Sequence, residues 1–189
     1  MKIVPLQLDE KKLLQRALRK DRRAQRNLYE LHSPKMLSVC RMYIKDLHHA
    51  EDVMLRGFFK VFKNLKSYKG KGSFEGWVRK IMIREALDFL RSQKKQGYSE
   101  ELREDQSVTE NIFEHKIEID EIQKQIDSLP EGYKNVLLLY TVEGYKHHEI
   151  AEMLGISENT SKSQLSKARK ALKEKMQQKI KRDEERKIR

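Results

Sequence analysis

Apolar residues recur along this chain at spacings of three and four, and strict alternation is nowhere sustained. That period is helical. Asp9 is placed to cap a first helix carrying Leu13, Leu14, Ala17 and Leu18. A second begins after Asp21. Its stripe runs Leu28, Leu31, Leu37, Cys40, Tyr43, Ile44 and Leu47, with a break or kink expected near Ser33 because Pro34 follows. A third, from His49 to Leu65, has a broad face of Val53, Met54, Gly57, Phe58, Val61, Phe62 and Leu65. Gly57 costs that helix stability and suits a close approach by a neighbour.

Ser67 to Ser73 reads as a loop, with Gly70 and Gly72 as breakers. Ser73 caps the next helix. There Phe74, Trp77, Val78 and Ile81 share a face, so Trp77 is assigned mainly to the core. The phase then slips. Continuing the face would bury Arg84, Glu85 and Asp88, whereas Ala86, Leu87 and Leu90 form the next stripe. The pattern predicts two helical pieces with a turn near Ile83 to Glu85. Periodicity fades from Ser92 to His115, and Tyr98 to Glu121 holds nine acids against two bases. This composition predicts a mobile acidic linker. Ile119, Ile122 and Ile126 open a new helix, ended by Leu129-Pro130, and Tyr133, Val136, Leu137 and Tyr140 mark another. Beyond Glu174 the charges alternate as in a fraying helix. The expected fold is all-α: two small helical domains, 1–92 and 116–189, joined by a flexible linker at 93–115.

The most informative stretch is Glu143 to Leu172. Ile150, Ala151 and Leu154 give one helix an apolar face. Gly155 stops it where a left-handed residue costs least. Ile156 plugs the corner, and the Ser157 hydroxyl can accept a bond from an unpaired N–H of the following helix. That second helix turns Ser161, Leu165, Ala168 and Leu172 inward. Thr160, Ser163, Lys167 and Lys170 face away, flanked by Lys162, Gln164 and Ser166. Hydroxyls, an amide and cations on one face suit phosphates and base edges in a major groove. An amphipathic hairpin with a solvated basic face is the plainer alternative.

Charge sharpens this reading. The 189 residues carry a formal net charge of +12, which points to a polyanionic partner. An acidic membrane surface would also satisfy charge alone. Arg56 to Lys95 holds twelve Lys or Arg against three acids, interleaved with seven aromatics. Cations give phosphates a partner and flat rings stack on unpaired bases, so this stretch divides between core and single-strand surface. Cys40 is the single cysteine, on an apolar stripe, and excludes an intramolecular disulfide. No apolar run is long enough to span a bilayer, and no signal-peptide pattern opens the chain. The expectation is a cytoplasmic protein without membrane insertion.

Ser157 to Arg169 resembles the promoter-reading helix of bacterial RNA polymerase sigma factors of the extracytoplasmic-function (ECF) type. The resemblance extends over two blocks. Ala50-Glu51-Asp52-Val53, Phe58, Lys60 to Phe62, Phe74-Glu-Gly-Trp77, Ile81, Ala86, Asp88 and Arg91 resemble the domain that docks on polymerase and melts the −10 element. Leu129-Pro130, Glu149-Ile150-Ala151, Leu154-Gly155 and Thr160 to Arg169 resemble the domain that reads the −35 element. The resemblance implies −35 contacts at Thr160, Lys162, Ser163, Ser166, Lys167 and Arg169. It implies −10 contacts at Arg79, Lys80 and Arg84, and polymerase contacts at Asp52, Leu55 and Arg56. Three positions depart from the family pattern: Leu55 and Arg56 replace a usual Gln-Glu pair, and Arg84 replaces an Asn in the loop that captures a flipped base. Implied partners are RNA polymerase core, promoter DNA and an anti-sigma factor. The chain is expected to be a binding subunit, not an enzyme, with no cofactor and no metal.

Two rival classes remain. A helix-turn-helix regulator acting without polymerase would leave the basic-aromatic stretch around Trp77 without a task. A metal-dependent nuclease would need ligands from Asp46, His48, His49, Glu51 and Asp52, or from His147, His148 and Glu149. Neither cluster has a recognised metal spacing, and adjacent His147 and His148 read as solvated helix-start residues.

Overall fold

The computed structural model describes residues 6–95 and 122–187. The chain divides into two compact units, 1–99 and 100–189. The described residues are helices and their connections, with no strand among them. The first unit holds α1 (Leu6–Leu18), α2 (Arg22–Tyr43), α3 (Leu47–Lys63), a 3-10 turn (Leu65–Ser67) and α4 (Phe74–Lys95). The second holds a short helix α5 over 122–127, then α6 (Glu131–Thr141), α7 (His147–Leu154) and α8 (Glu158–Lys187).

In the first unit α2, α3 and α4 pack mutually, and α1 lies on α2. Asp9 is not a cap, because α1 begins at Leu6. Asp21 does cap α2: its Oδ1 accepts from the N–H of Arg23 at 2.9 Å and of Ala24 at 3.2 Å. The bond from Ala24, then the one from Arg16, holds the Asp21 carboxyl below its ordinary range. Helix α2 runs through Pro34 without the expected break. Pro34 removes one N–H bond, but residues on both sides of it are anchored in the same core: Ala24, Leu28 and His32 before it, Met36, Val39, Cys40 and Tyr43 after it. Packing over both halves outweighs one lost bond. This buried stripe also corrects the sequence pattern, since Leu31 is exposed and Leu37 only half-buried.

Helix α4 is likewise continuous, and the turn expected at Ile83 to Glu85 is absent. It packs on both α2 and α3, so Val78, Met82, Ile83, Glu85, Ala86 and Leu87 are all buried on a wide arc. The acidic residue in that arc has a partner: Lys60 Nζ of α3 donates to Glu85 Oε1. Pairing removes the cost of an uncompensated buried carboxylate. Helix α4 also takes in Gln93, Lys94 and Lys95, which the sequence pattern placed in the linker. The rest of the acidic stretch, with Ile119, lies outside the described residues.

Gly57 sits where α3 meets α4. A Cβ there would lie 2.3 Å from Met82 Sδ and 2.9 Å from its Cε. The absence of a side chain lets the two helices close. Cys40 is fully buried, and burial together with the nearby Glu85 charge pushes its thiol up to about 12.

In the second unit α6 is buried without interruption from Lys134 to Leu139. Its charged member is neutralised by Asp127, whose Oδ1 lies 2.6 Å from Lys134 Nζ, with the side chains 12% and 5% exposed. Helix α6 packs on α7 and α8, and α7 on α8. Lys175 Nζ donates to Ser128 Oγ at 2.6 Å, tying α8 to the turn after α5. Ile122, expected on an inward stripe, is exposed.

Candidate nucleic-acid interface

The helix-turn-helix forms as its residues require. Gly155 ends α7 in the left-handed region at φ 66°, where a Cβ would be strained. The N–H of Thr160 bonds Ser157 Oγ at 3.0 Å, making Ser157 the cap of α8. Ser161, Leu165 and Ala168 are buried and Leu172 half-buried. That leaves Lys162, Ser163, Ser166, Lys167, Arg169 and Lys170 exposed. At about 100° per residue these six cover one arc of roughly 160° on α8.

The candidate −35 residues are not equivalent. Thr160 is half-buried, and its Oγ1 lies 2.8 Å from Ser157 Oγ, so its hydroxyl belongs to the cap. Lys162 pairs with Glu158 at 2.7 Å. That bond, with weaker contributions from His148 and His147, lowers the Glu158 carboxyl below its ordinary range. Ser163 Oγ donates to the Thr160 carbonyl at 3.0 Å. Ser166 and Lys167 are exposed, and the Arg169 guanidinium sits 5.7 Å from the centre of the Tyr140 ring.

His147 is not a solvated residue. It is half-buried, its ring stacks on Tyr140 with centres 4.6 Å apart, and its Nδ1 lies 2.9 Å from Ser161 Oγ. His148 is exposed. Among the described residues no group of three or more His, Cys, Asp or Glu could hold a metal.

On the first unit two further faces stand out. Asp52, Leu55 and Arg56 are all exposed on α3. Phe59 completes this line at helical spacing and is 70% exposed, beside Leu55 at 51%. The sequence pattern did not single out Phe59, because it stands in an aromatic run with Phe58 and Phe62. Phase separates them: Phe58 shares the buried face of Met54 and Val61, whereas Phe59 is one turn from Leu55 and Arg56. The Arg56 guanidinium lies 5.5 Å from the centre of the Phe89 ring.

The second face centres on Trp77. It is half-buried, at the core margin, with Phe74 and Tyr68 rings 5.8 and 5.5 Å away. Tyr68 is held by a bond from its hydroxyl to the Gly72 carbonyl at 2.8 Å. Spacings of three and four place Lys80 and Arg84, both exposed, on the Trp77 side of α4. Lys69 and Lys71 are exposed in the loop before it and were missed because they lie outside any periodic segment. Arg84 therefore presents its side chain from a helix, not from a splayed loop. Arg79 is half-buried.

Comparison with known proteins matches 28–96 to Sigma-70 region 2 and 119–172 to Sigma-70, region 4. The ECF RNA polymerase sigma-E factor of Haemophilus influenzae is 22% identical over 184 residues, covering 90% of this chain and 97% of that protein. The chain belongs to the ECF sigma factors. RNA polymerase sigma factor SigV of Bacillus subtilis is 28% identical over 144 residues, covering 75% of this sigma factor and 84% of its own length. A solved structure shares the fold: the sigma factor RpoE of Bartonella quintana, in complex with the anti-sigma factor NepR, superposes at a TM-score of 0.57. That match has 17% identity and covers 80% of this chain and 96% of that one. The two family matches fall in the order of the two structural units, so the exposed faces of α3 and α4 belong to region 2 and that of α8 to region 4. No described helix is long and apolar enough to cross a membrane.

Proposed function

We propose that this sigma factor binds RNA polymerase core through the exposed face of α3, opens the −10 element on the Trp77 face of α4, and reads the −35 element with α8. The observation that carries this reading is the pairing of two sigma-family regions, in order, with an outward face of suitable chemistry on each. Lys162, Ser163, Ser166 and Lys167 meet the −35 groove and Arg169 its backbone. Lys80 and Arg84 meet −10 phosphates or a displaced base beside the Tyr68 and Trp77 rings, with Arg79 at the margin. Asp52, Leu55, Arg56 and Phe59 meet polymerase. Leu55 and Arg56 stand where the family pattern has a Gln-Glu pair, so apolar burial of Leu55 and Phe59 contributes a larger share of docking.

The division into 1–92 and 116–189 around an acidic tether belongs to the same proposal, with the first three tether residues helical in α4. A tether raises the effective concentration of the second domain once the first has bound. Polymerase performs the chemistry, so the chain is a non-catalytic subunit and acts in the cytoplasm, where polymerase works. An anti-sigma factor is a fitting further partner, as for the Bartonella protein.

The test is co-purification with polymerase core. Asp52→Lys should impair assembly while unfolding as the wild type does. Normal assembly of Asp52→Lys would move the docking face elsewhere. Failure of the wild-type chain to retain core would favour a helix-turn-helix regulator acting alone.

A further inference from the structure

Tyr140, in the last turn of α6, is 37% exposed. Two side chains meet it. His147, at the start of α7, stacks on the ring at 4.6 Å with an interplanar angle of 23°. Arg169, on the exposed arc of α8, places its guanidinium 5.7 Å from the ring centre. His147 in turn meets the buried Ser161 hydroxyl of α8 at 2.9 Å. One tyrosine thus links three helices and touches α8 at two levels, directly at Arg169 and through His147 at Ser161.

We propose that Tyr140 is a positioning residue for promoter binding, holding Arg169 ready to meet a DNA phosphate and seating α8 against α7 through His147. This rests on the reading that the exposed arc of α8 faces DNA. An arginine chain free in water must be ordered before it can bind, and the ordering opposes association. A guanidinium lying against an aromatic is attracted through its flat face. Its N–H donors lie in the plane, at the edge, and remain available to phosphate oxygens. Contact with the ring therefore restricts the side chain without consuming the groups that bind. Lysine cannot do this: its charge is a point at the end of a flexible stem. The contact is to the backbone and adds affinity without sequence preference.

The test uses the full chain and a labelled DNA duplex enriched from a random pool by binding to that chain, with affinity followed against salt. Arg169→Ala should lower the salt slope by about one unit, the loss of one phosphate contact. Tyr140→Leu keeps every charge and the slope, yet should weaken binding at each salt concentration, and should cost less when Arg169 is already alanine than it does alone. Tyr140→Phe retains the ring and should match wild type. Arg169→Lys leaves the core untouched and keeps the net charge, and should bind more weakly than wild type; equal binding would mean that charge suffices and would overturn the proposal. Wild-type affinity for Tyr140→Leu, the same cost for it with and without Arg169, or a defect in Tyr140→Phe equal to that in Tyr140→Leu, would overturn it as well. An unchanged slope for Arg169→Ala would instead remove the underlying assignment of Arg169 to DNA.

Discussion

Replacing Gly57 with alanine tests the packing that holds α3, the helix proposed to dock on polymerase, against α4. The new methyl would stand 2.3 Å from Met82 Sδ and 2.9 Å from Cε. Comfortable contact needs roughly 3.5–4.0 Å, so the methionine end must retreat by more than about 1 Å. Those atoms end a flexible side chain, but Met82 is fully buried, so the shift must be taken up within the core. Overpacking of this kind costs about 1–3 kcal/mol. Alanine returns about 1 kcal/mol of helix propensity. The expected net loss is about 1 kcal/mol, with α3 displaced from α4 and its outer residues Asp52, Leu55, Arg56 and Phe59 carried with it. Trp77 is the only tryptophan and lies in the same unit, so its fluorescence in urea reports this domain alone. Met82→Val removes the clashing atoms and leaves a cavity that the methyl added at position 57 would partly fill. The double variant should therefore be more stable than the sum of the singles by about 1 kcal/mol. Equal or greater stability of Gly57→Ala, or strict additivity in the double, would refute the close-approach argument.

Lys167→Ala should weaken promoter binding and flatten its salt dependence by about one unit in a fluorescence titration. Asp127→Ala removes the carboxylate bonded to buried Lys134 and should destabilise the second unit in chemical unfolding, by more than replacing both with apolar residues. The Cys40 thiol, pushed up to about 12, should resist alkylation at neutral pH in the native chain and react once urea exposes it. Asp21 has a folded carboxyl below its ordinary value, so its cap stabilises above the unfolded pKa and is lost as pH falls through the folded one. Asp21→Ala should reduce the steepness of acid unfolding, followed by circular dichroism, and change little in the slope near neutral pH.

Local chemistry made much of this protein legible from sequence. The αL glycine and serine cap around Gly155 and Ser157 act within a few residues, and they set the helix-turn-helix wherever the chain goes. The outward arc of α8 followed, because its apolar stripe of Leu165, Ala168 and Leu172 keeps one phase and leaves a single free face. Tertiary structure decided what local pattern could not. Helix α4 has two neighbours, so its buried arc is wide and resembles a phase slip; a lysine from α3, distant in sequence, is what permits Glu85 inside it. Pro34 breaks a helix unless residues on both sides are anchored in one core, and only packing anchors them. Phe59 and Phe58 have the same chemistry and adjacent positions, yet Phe58 is a core residue and Phe59 is exposed. The cluster of Tyr140, His147 and Arg169 joins three helices through side chains that no short-range period connects. Capping and turn energies are summed over neighbours in the chain, whereas burial, ion pairing and ring stacking depend on neighbours in space, and those exist only once the helices have met.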